Sequence, residues 1–285
     1  MTKFIDRFSS IAADYDVVLS DVWGVLHAGI SAYPEAYMAL TRYRASGGTA
    51  ILLTNAPRPG ETVSLYLDSL GLPRNAYDGV VSSGNVTRTL VLERKGQRLF
   101  HIGPPRDLPI FDSMDAVFAP LDQADYVVCS GFRDDETEKP EDYRDLLLQI
   151  RERSLTMICA NPDVVVERGD KLVYCAGAIA DLYAALGGDV IYAGKPFAPI
   201  YSDALRLAET LRKKPVDLRR VLAIGDSLRT DVKGAAAMGI DCLFVTAGIH
   251  AEELGHREDP KADALERIFA KEDVRPKAAI KNLVW

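Results

Sequence analysis

The chain has 285 residues, 48% hydrophobic and 26% charged, enough for one large domain or two modest ones with a substantial buried core. Its 34 basic and 41 acidic side chains give a net charge of −7, which argues against a nucleic-acid backbone as the main partner and leaves room for small phosphorylated ligands met by local positive charge. No apolar run approaches the roughly 18 residues that cross a bilayer, and residues 1–8 lack a signal-peptide pattern, so no membrane role and a cytoplasmic location are expected.

Apolar β-branched runs alternate with helical patterns, as in a parallel sheet wrapped by helices. A strand is predicted over 16–21, a helix over 34–45 closed by Gly47-Gly48, a strand over 49–54, a helix over 60–70, a short strand at Val80-Val81 and a helix over 85–94. A second unit follows, with strands over 98–102, 126–130 and 155–160 and a helix over 140–153. Strands over 190–193, 221–225 and 242–246 then resume the first pattern, with helices over 198–211 and 231–238. The polar tail from 258 to 285 contains one helix, 261–271, expected to dock on the core surface. The four cysteines, Cys129, Cys159, Cys175 and Cys242, are widely spaced and read as reduced core residues rather than a zinc site or a disulfide framework. Homo-oligomerisation is left open.

In an open α/β sheet, ligands bind beyond the carboxyl ends of the strands, where helix N-termini expose amide donors. Asp21, Thr54, Asn55 and Asp226 all fall at such ends. Asp21, in Ser20-Asp21-Val22-Trp23-Gly24, reads as a nucleophile. It could attack phosphorus only with its own charge and that of the phosphate offset by cations. Mg²⁺ prefers octahedral oxygen ligands, and carboxylates from two distant strand ends, Asp21 and Asp226, suit it. Lys195, in Gly194-Lys195-Pro196, would add screening. Arg58 and Arg229 read as solvated surface residues.

These four motifs, in this order, resemble the haloacid dehalogenase superfamily of phosphotransferases. The resemblance implies a doubly wound Rossmann-like parallel core at 1–82 and 189–285, with an inserted α/β cap at 83–188. It also implies an aspartyl-phosphate at Asp21, and Lys195 as a further catalytic residue. Mg²⁺ would be held by Asp21, Asp226 and the Trp23 main-chain carbonyl, with Asp231 holding metal waters. Thr54 and Asn55 would meet the phosphate, and Asn161 and Asp163 in Ala160-Asn161-Pro162-Asp163 would join Trp23 as substrate contacts. The inserted block resembles the large cap of p-nitrophenyl and nucleotide monophosphate phosphatases. Its start is marked by Ser83-Gly84-Asn85.

Phosphatases of the superfamily usually carry a second Asp two residues after the nucleophile, to protonate the leaving alcohol; here that place is held by Trp23. Three alternatives follow. Another group, such as His27, takes over; the leaving group needs no proton; or the chain binds phosphorylated ligands as a sensor or regulator with little turnover. The expected activity is Mg²⁺-dependent hydrolysis of small phosphate monoesters such as sugar or nucleotide phosphates.

Overall fold

The computed structural model describes residues 2–169, 171–255 and 260–285. The first strands are β1 (Lys3–Phe4), β2 (Val17–Ser20), β3 (Thr49–Thr54) and β4 (Gly79–Ser82), with helices α1 (Pro34–Ala45) and α2 (Gly60–Ser69) between them. Helix α3 (Ser83–Leu92) leads to β5 (Arg98–Ile102), β6 (Val117–Phe118), β7 (Tyr126–Cys129), α4 (Arg144–Glu152) and β8 (Met157–Cys159). Then come β9 (Val165–Arg168), β10 (Lys171–Tyr174), α5 (Ala176–Ala185) and β11 (Val190–Tyr192). The chain closes with α6 (Ala198–Arg212), β12 (Val221–Gly225), α7 (Lys233–Met238), β13 (Asp241–Val245), α8 (Ala262–Lys271) and β14 (Ala278–Ile280).

One seven-stranded sheet has the order β1-β14-β13-β12-β2-β3-β4, and every pairing in it is parallel. Its central strands are mostly apolar because both faces are covered. Val17, Leu19, Ile51 and Leu53 point into one buried layer with Ile200 and Ala204 of α6. Val18, Ala50 and Leu52 point into the other, with Ala39, Leu40 and Tyr43 of α1. Strand order reverses between β2 and β12: β3 and β4 continue on one side, β13 and β14 on the other. The crevice at their carboxyl ends is therefore the natural ligand site of this topology.

A second parallel sheet, β11-β8-β7-β5-β6, lies between β4 and β12 in the chain, with α4 and α5 packed on its outer face. The antiparallel hairpin β9–β10 stands apart from both sheets. Helix α3 begins with a capping box, in which the Ser82 hydroxyl and the Asn85 side chain each bond the other's main-chain N–H.

Two expectations are corrected. Val190–Tyr192, expected to resume the first sheet, instead pairs with Met157–Cys159 in the second; its apolar side chains suit either sheet, and only tertiary pairing decides. The tail, whose expected start at 258 lies outside the described residues, does more than dock. Its Ala278–Ile280 is buried as a strand between β1 and β13. The hairpin and α5 were not foreseen. Helix α5 is apolar on most sides, so no amphipathic period marks it.

Candidate functional site

Each functional side chain is set by the end of a strand. Asp21 follows β2, and its main-chain N–H donates to the carbonyl of Ile224 in β12 at 2.7 Å, which fixes the two strand ends side by side. Asp226 follows β12, and its Oδ2 accepts the N–H of Ile249 at 2.8 Å. Asp231 lies on a wide π-type turn, Leu228–Val232, that opens into α7. Its Oδ2 accepts the Ser227 N–H at 3.1 Å. Such turns recur at functional sites because the extra residue re-aims a side chain.

Lys195 enters from the segment after β11. Its ammonium donates to Asp21 Oδ1 at 2.6 Å and to Asp231 Oδ1 at 2.7 Å. The structure thus brings Asp21, Asp226, Asp231 and Lys195 into one buried cluster, and oxygens of the three carboxylates lie within 4.8 Å of one another. No side chain fits beside them at two glycines. At Gly24, where φ is +85°, a Cβ would sit 2.0 Å from Asp226 Oδ2, and at Gly225 one would sit 2.1 Å from Asp231 Cγ.

The electrostatics follow from burial. Asp21 is pushed well above the usual carboxylate range, chiefly by desolvation and against the pull of Lys195. Asp226 is raised to about 7 by burial and by the neighbouring Asp231. Burial also works against the Lys195 charge, but Asp21 and Asp231 outweigh it, and the ammonium stays protonated. One ammonium faces three carboxylates, so the cluster lacks positive charge.

The remaining predicted residues gather round this cluster. Thr54 ends β3, and its hydroxyl accepts the Ala56 N–H at 3.2 Å. The Asn55 side chain acts as a bracket. Its Oδ1 accepts the Lys195 N–H at 2.7 Å, while Nδ2 donates to the Lys195 carbonyl at 3.2 Å and to Asp163 Oδ1 at 2.9 Å. With both Nδ2 hydrogens used, that amide joins the two sheets rather than pointing free to a ligand. Asn161 turns back on its own loop, its Oδ1 accepting the Asp163 N–H at 3.1 Å.

Trp23 is tied across the site. Its indole N–H donates to the Glu167 carbonyl in β9 at 2.5 Å, and its ring meets His27 edge-on with centroids 4.8 Å apart. His27 is corrected as a substitute acid. It is buried, its Nδ1 accepts the Gly29 N–H at 2.9 Å, and burial lowers its pKa to about 4, so it is neutral near pH 7. Arg58 is also corrected: it pairs with Asp107 of the inserted unit at 3.3 Å with only a quarter of its side chain exposed. Arg229 is exposed, as expected, and pairs with Asp181 of α5 at 2.6 Å. Both link the two units, a contact that sequence spacing does not mark.

Sequence comparison places these features among known proteins. Residues 18–116 match the model of a haloacid dehalogenase-like hydrolase family, and residues 192–268 match that of a HAD-hydrolase-like family. The fold and the acidic cluster are thus those of an α/β hydrolase with a large insertion. The chain is similar to a haloacid dehalogenase-like family hydrolase from Brucella suis 1330, at 46% identity over 99% of this chain and 100% of that one, with a TM-score of 0.89. It belongs to the haloacid dehalogenase-like hydrolases. It is also 28% identical to a D-glycerol 3-phosphate phosphatase of Mycobacterium tuberculosis over 85% of this chain, and spans 66% of that protein's length. The structure of the glycerol phosphate phosphatase Rv1692 from Mycobacterium tuberculosis in complex with magnesium shares the fold, with a TM-score of 0.65, 22% identity, and coverage of 94% of this chain and 75% of that one. The four cysteines are free and buried, and no helix among the described residues is long and apolar enough to cross a membrane.

Proposed function

We propose that this chain is a Mg²⁺-dependent phosphatase of small phosphate monoesters that works through an aspartyl-phosphate on Asp21. The observation that carries the reading is the buried cluster of three carboxylates around the Lys195 ammonium at the point where strand order reverses. The similar proteins named as glycerol phosphate phosphatases support it.

The charge deficit of the cluster fits a hard divalent cation. Asp21, Asp226 and the Trp23 carbonyl would hold it, with Asp231 supporting its waters. Bound there, Mg²⁺ would neutralise phosphoryl oxygens and the burden of negative charge. The chain's own groups do the rest. Asp21 Oδ attacks phosphorus and the bond to the leaving oxygen breaks; Lys195 donates to Asp21 Oδ1, favours its ionised form against the effect of burial, and screens the transferring group. Thr54 offers a hydroxyl to a phosphate oxygen. Asn55 is a positioning residue, fixing Lys195 through two hydrogen bonds. Asn161 and Trp23 face the leaving group.

In the same reading the core is 1–82 and 193–285 and the cap is 83–192, the second boundary moving from 188 to past Tyr192 because β11 pairs in the cap sheet. Four reduced thiols agree with a cytoplasmic enzyme. The test is turnover of glycerol, sugar, nucleotide and cofactor phosphates with Mg²⁺ or with chelator. Turnover that needs Mg²⁺ and vanishes in Asp21→Asn supports the reading. Binding of these esters with Mg²⁺ but no turnover would make the chain a sensor of phosphorylated ligands instead.

A further inference from the structure

Two cavities meet beside the nucleophile. One is lined by Asp21, Asp226, Ser227 and Thr230. The other, of about 320 Å³, runs between the loop after β2, α2 and the inserted unit, and is walled by Val63, Tyr66, Phe132 and Val173. Among the described residues, three line both: Trp23, Asp163 and Val166. A phosphate ester with its phosphoryl group beside Asp21 and its organic part in the larger cavity must pass its bridging oxygen along this shared wall.

The three differ in what they can do there. Val166 has no proton to exchange. The Trp23 indole N–H is not an acid at neutral pH and is already committed to the Glu167 carbonyl. Asp163 carries a carboxyl group. Its Oδ1 accepts from Asn55 Nδ2 at 2.9 Å, and no described residue donates to Oδ2. Its main chain is pinned on both sides, by Asn161 Oδ1 on its N–H and by the Gly177 N–H on its carbonyl at 3.1 Å. Gly177 leaves no slack, because a Cβ there would stand 2.4 Å from that carbonyl.

On the phosphatase reading above, we infer that Asp163 is the proton donor and acceptor of the reaction, supplied by the inserted unit in place of the side chain that Trp23 does not provide. As Asp21 attacks, the Asp163 carboxyl passes its proton to the leaving oxygen, the phosphorus–oxygen bond breaks, and a neutral alcohol departs. The Asp163 carboxylate then takes a proton from the water that attacks phosphorus, the bond to Asp21 breaks, and inorganic phosphate leaves with Asp163 protonated again. The surroundings suit a group that starts protonated. Burial raises its pKa and Asp231 adds to this, outweighing Lys195, the Asn55 hydrogen bond and Arg229.

The test is leaving-group dependence in Mg²⁺, measured on 4-nitrophenyl, phenyl and alkyl phosphates for wild type and Asp163→Asn. Wild type should treat aryl and alkyl esters with similar kcat/KM. The variant should lose roughly 10²- to 10⁴-fold on alkyl esters and far less on 4-nitrophenyl phosphate, whose leaving group departs as an anion. It should also release a burst of nitrophenol, because dephosphorylation now lacks its base. A uniform loss on all esters without a burst would make Asp163 a structural link to Asn55 and overturn the inference. Asp163→Glu retains the carboxyl group and serves if the Asn variant does not fold; a steep leaving-group dependence in it would also count against the assignment. Wild type inactive on every ester would instead sink the phosphatase reading itself.

Discussion

The Trp23 indole N–H donates to the Glu167 carbonyl at 2.5 Å, joining the loop that follows the nucleophile to the β9–β10 hairpin. A second hydrogen bond runs alongside, from the Gly169 N–H to the Ala28 carbonyl at 3.2 Å. Trp23 therefore fastens the hairpin over the site.

Trp23→Phe keeps a ring but removes the donor. The loss of one neutral hydrogen bond is worth about 0.5–1.5 kcal/mol. Amide exchange across 165–174 should speed up by up to about tenfold, while the main sheet stays protected. Unchanged exchange in the hairpin would mean the bond does not hold it.

Lys195→Met leaves Asp21 and Asp231 facing each other without the ammonium. Turnover should fall by roughly 10²- to 10³-fold on every substrate, as expected for loss of a preorganised charge. Asn161→Ala should instead alter the order of preferred substrates. A substrate panel for both variants checks this, and reordering by the Lys195 change alone would contradict it.

Asp226 fixes the sign of the pH dependence. Its pKa of about 7 lies above the 3.8 of an unstructured chain. The metal-free fold therefore binds the extra proton between those values. That contribution to stability is fully present below pH 3.8 and is lost as pH rises through about 7. Thermal unfolding should show Mg²⁺ stabilising the protein more at pH 8 than at pH 5.5, because the cation competes with this proton. Asp226→Asn should lose most of the Mg²⁺ effect. Equal stabilisation at both pH values would remove Asp226 from the metal site.

Gly24→Ala places a methyl group against Asp226 Oδ2 at a φ of +85°. It should abolish the Mg²⁺-dependent shift in unfolding temperature while leaving secondary structure intact, as followed by circular dichroism.

Much of this was legible in the sequence. The strand ends that carry Asp21, Thr54 and Asp226 follow unbroken apolar runs, and the 34–45, 49–54, 98–102 and 221–225 elements appear where periodicity puts them. What was not legible depended on contacts between distant segments. The Asn55 bond to Asp163 and the pairing of Arg58 with Asp107 need the inserted unit in place, and the burial of His27 beside Trp23 and Tyr66 needs the loop after β2 folded onto α2. Sheet membership of Val190–Tyr192 also lies beyond pattern reading, since a parallel strand buried on two faces looks alike in either sheet. The hairpin did carry a signal: Gly169-Asp170 between two β-branched or aromatic runs is a two-residue turn sequence.

The central claim is covalent chemistry at Asp21, and acid quenching within the first turnover tests it most directly. With 4-nitrophenyl phosphate and Mg²⁺, mass spectrometry of the digested protein should find a phosphoryl group on the peptide containing Asp21, formed as fast as nitrophenol is released in the first turnover and absent in Asp21→Asn. Phosphate release with no adduct on that peptide, together with turnover retained in Asp21→Asn, would contradict the account.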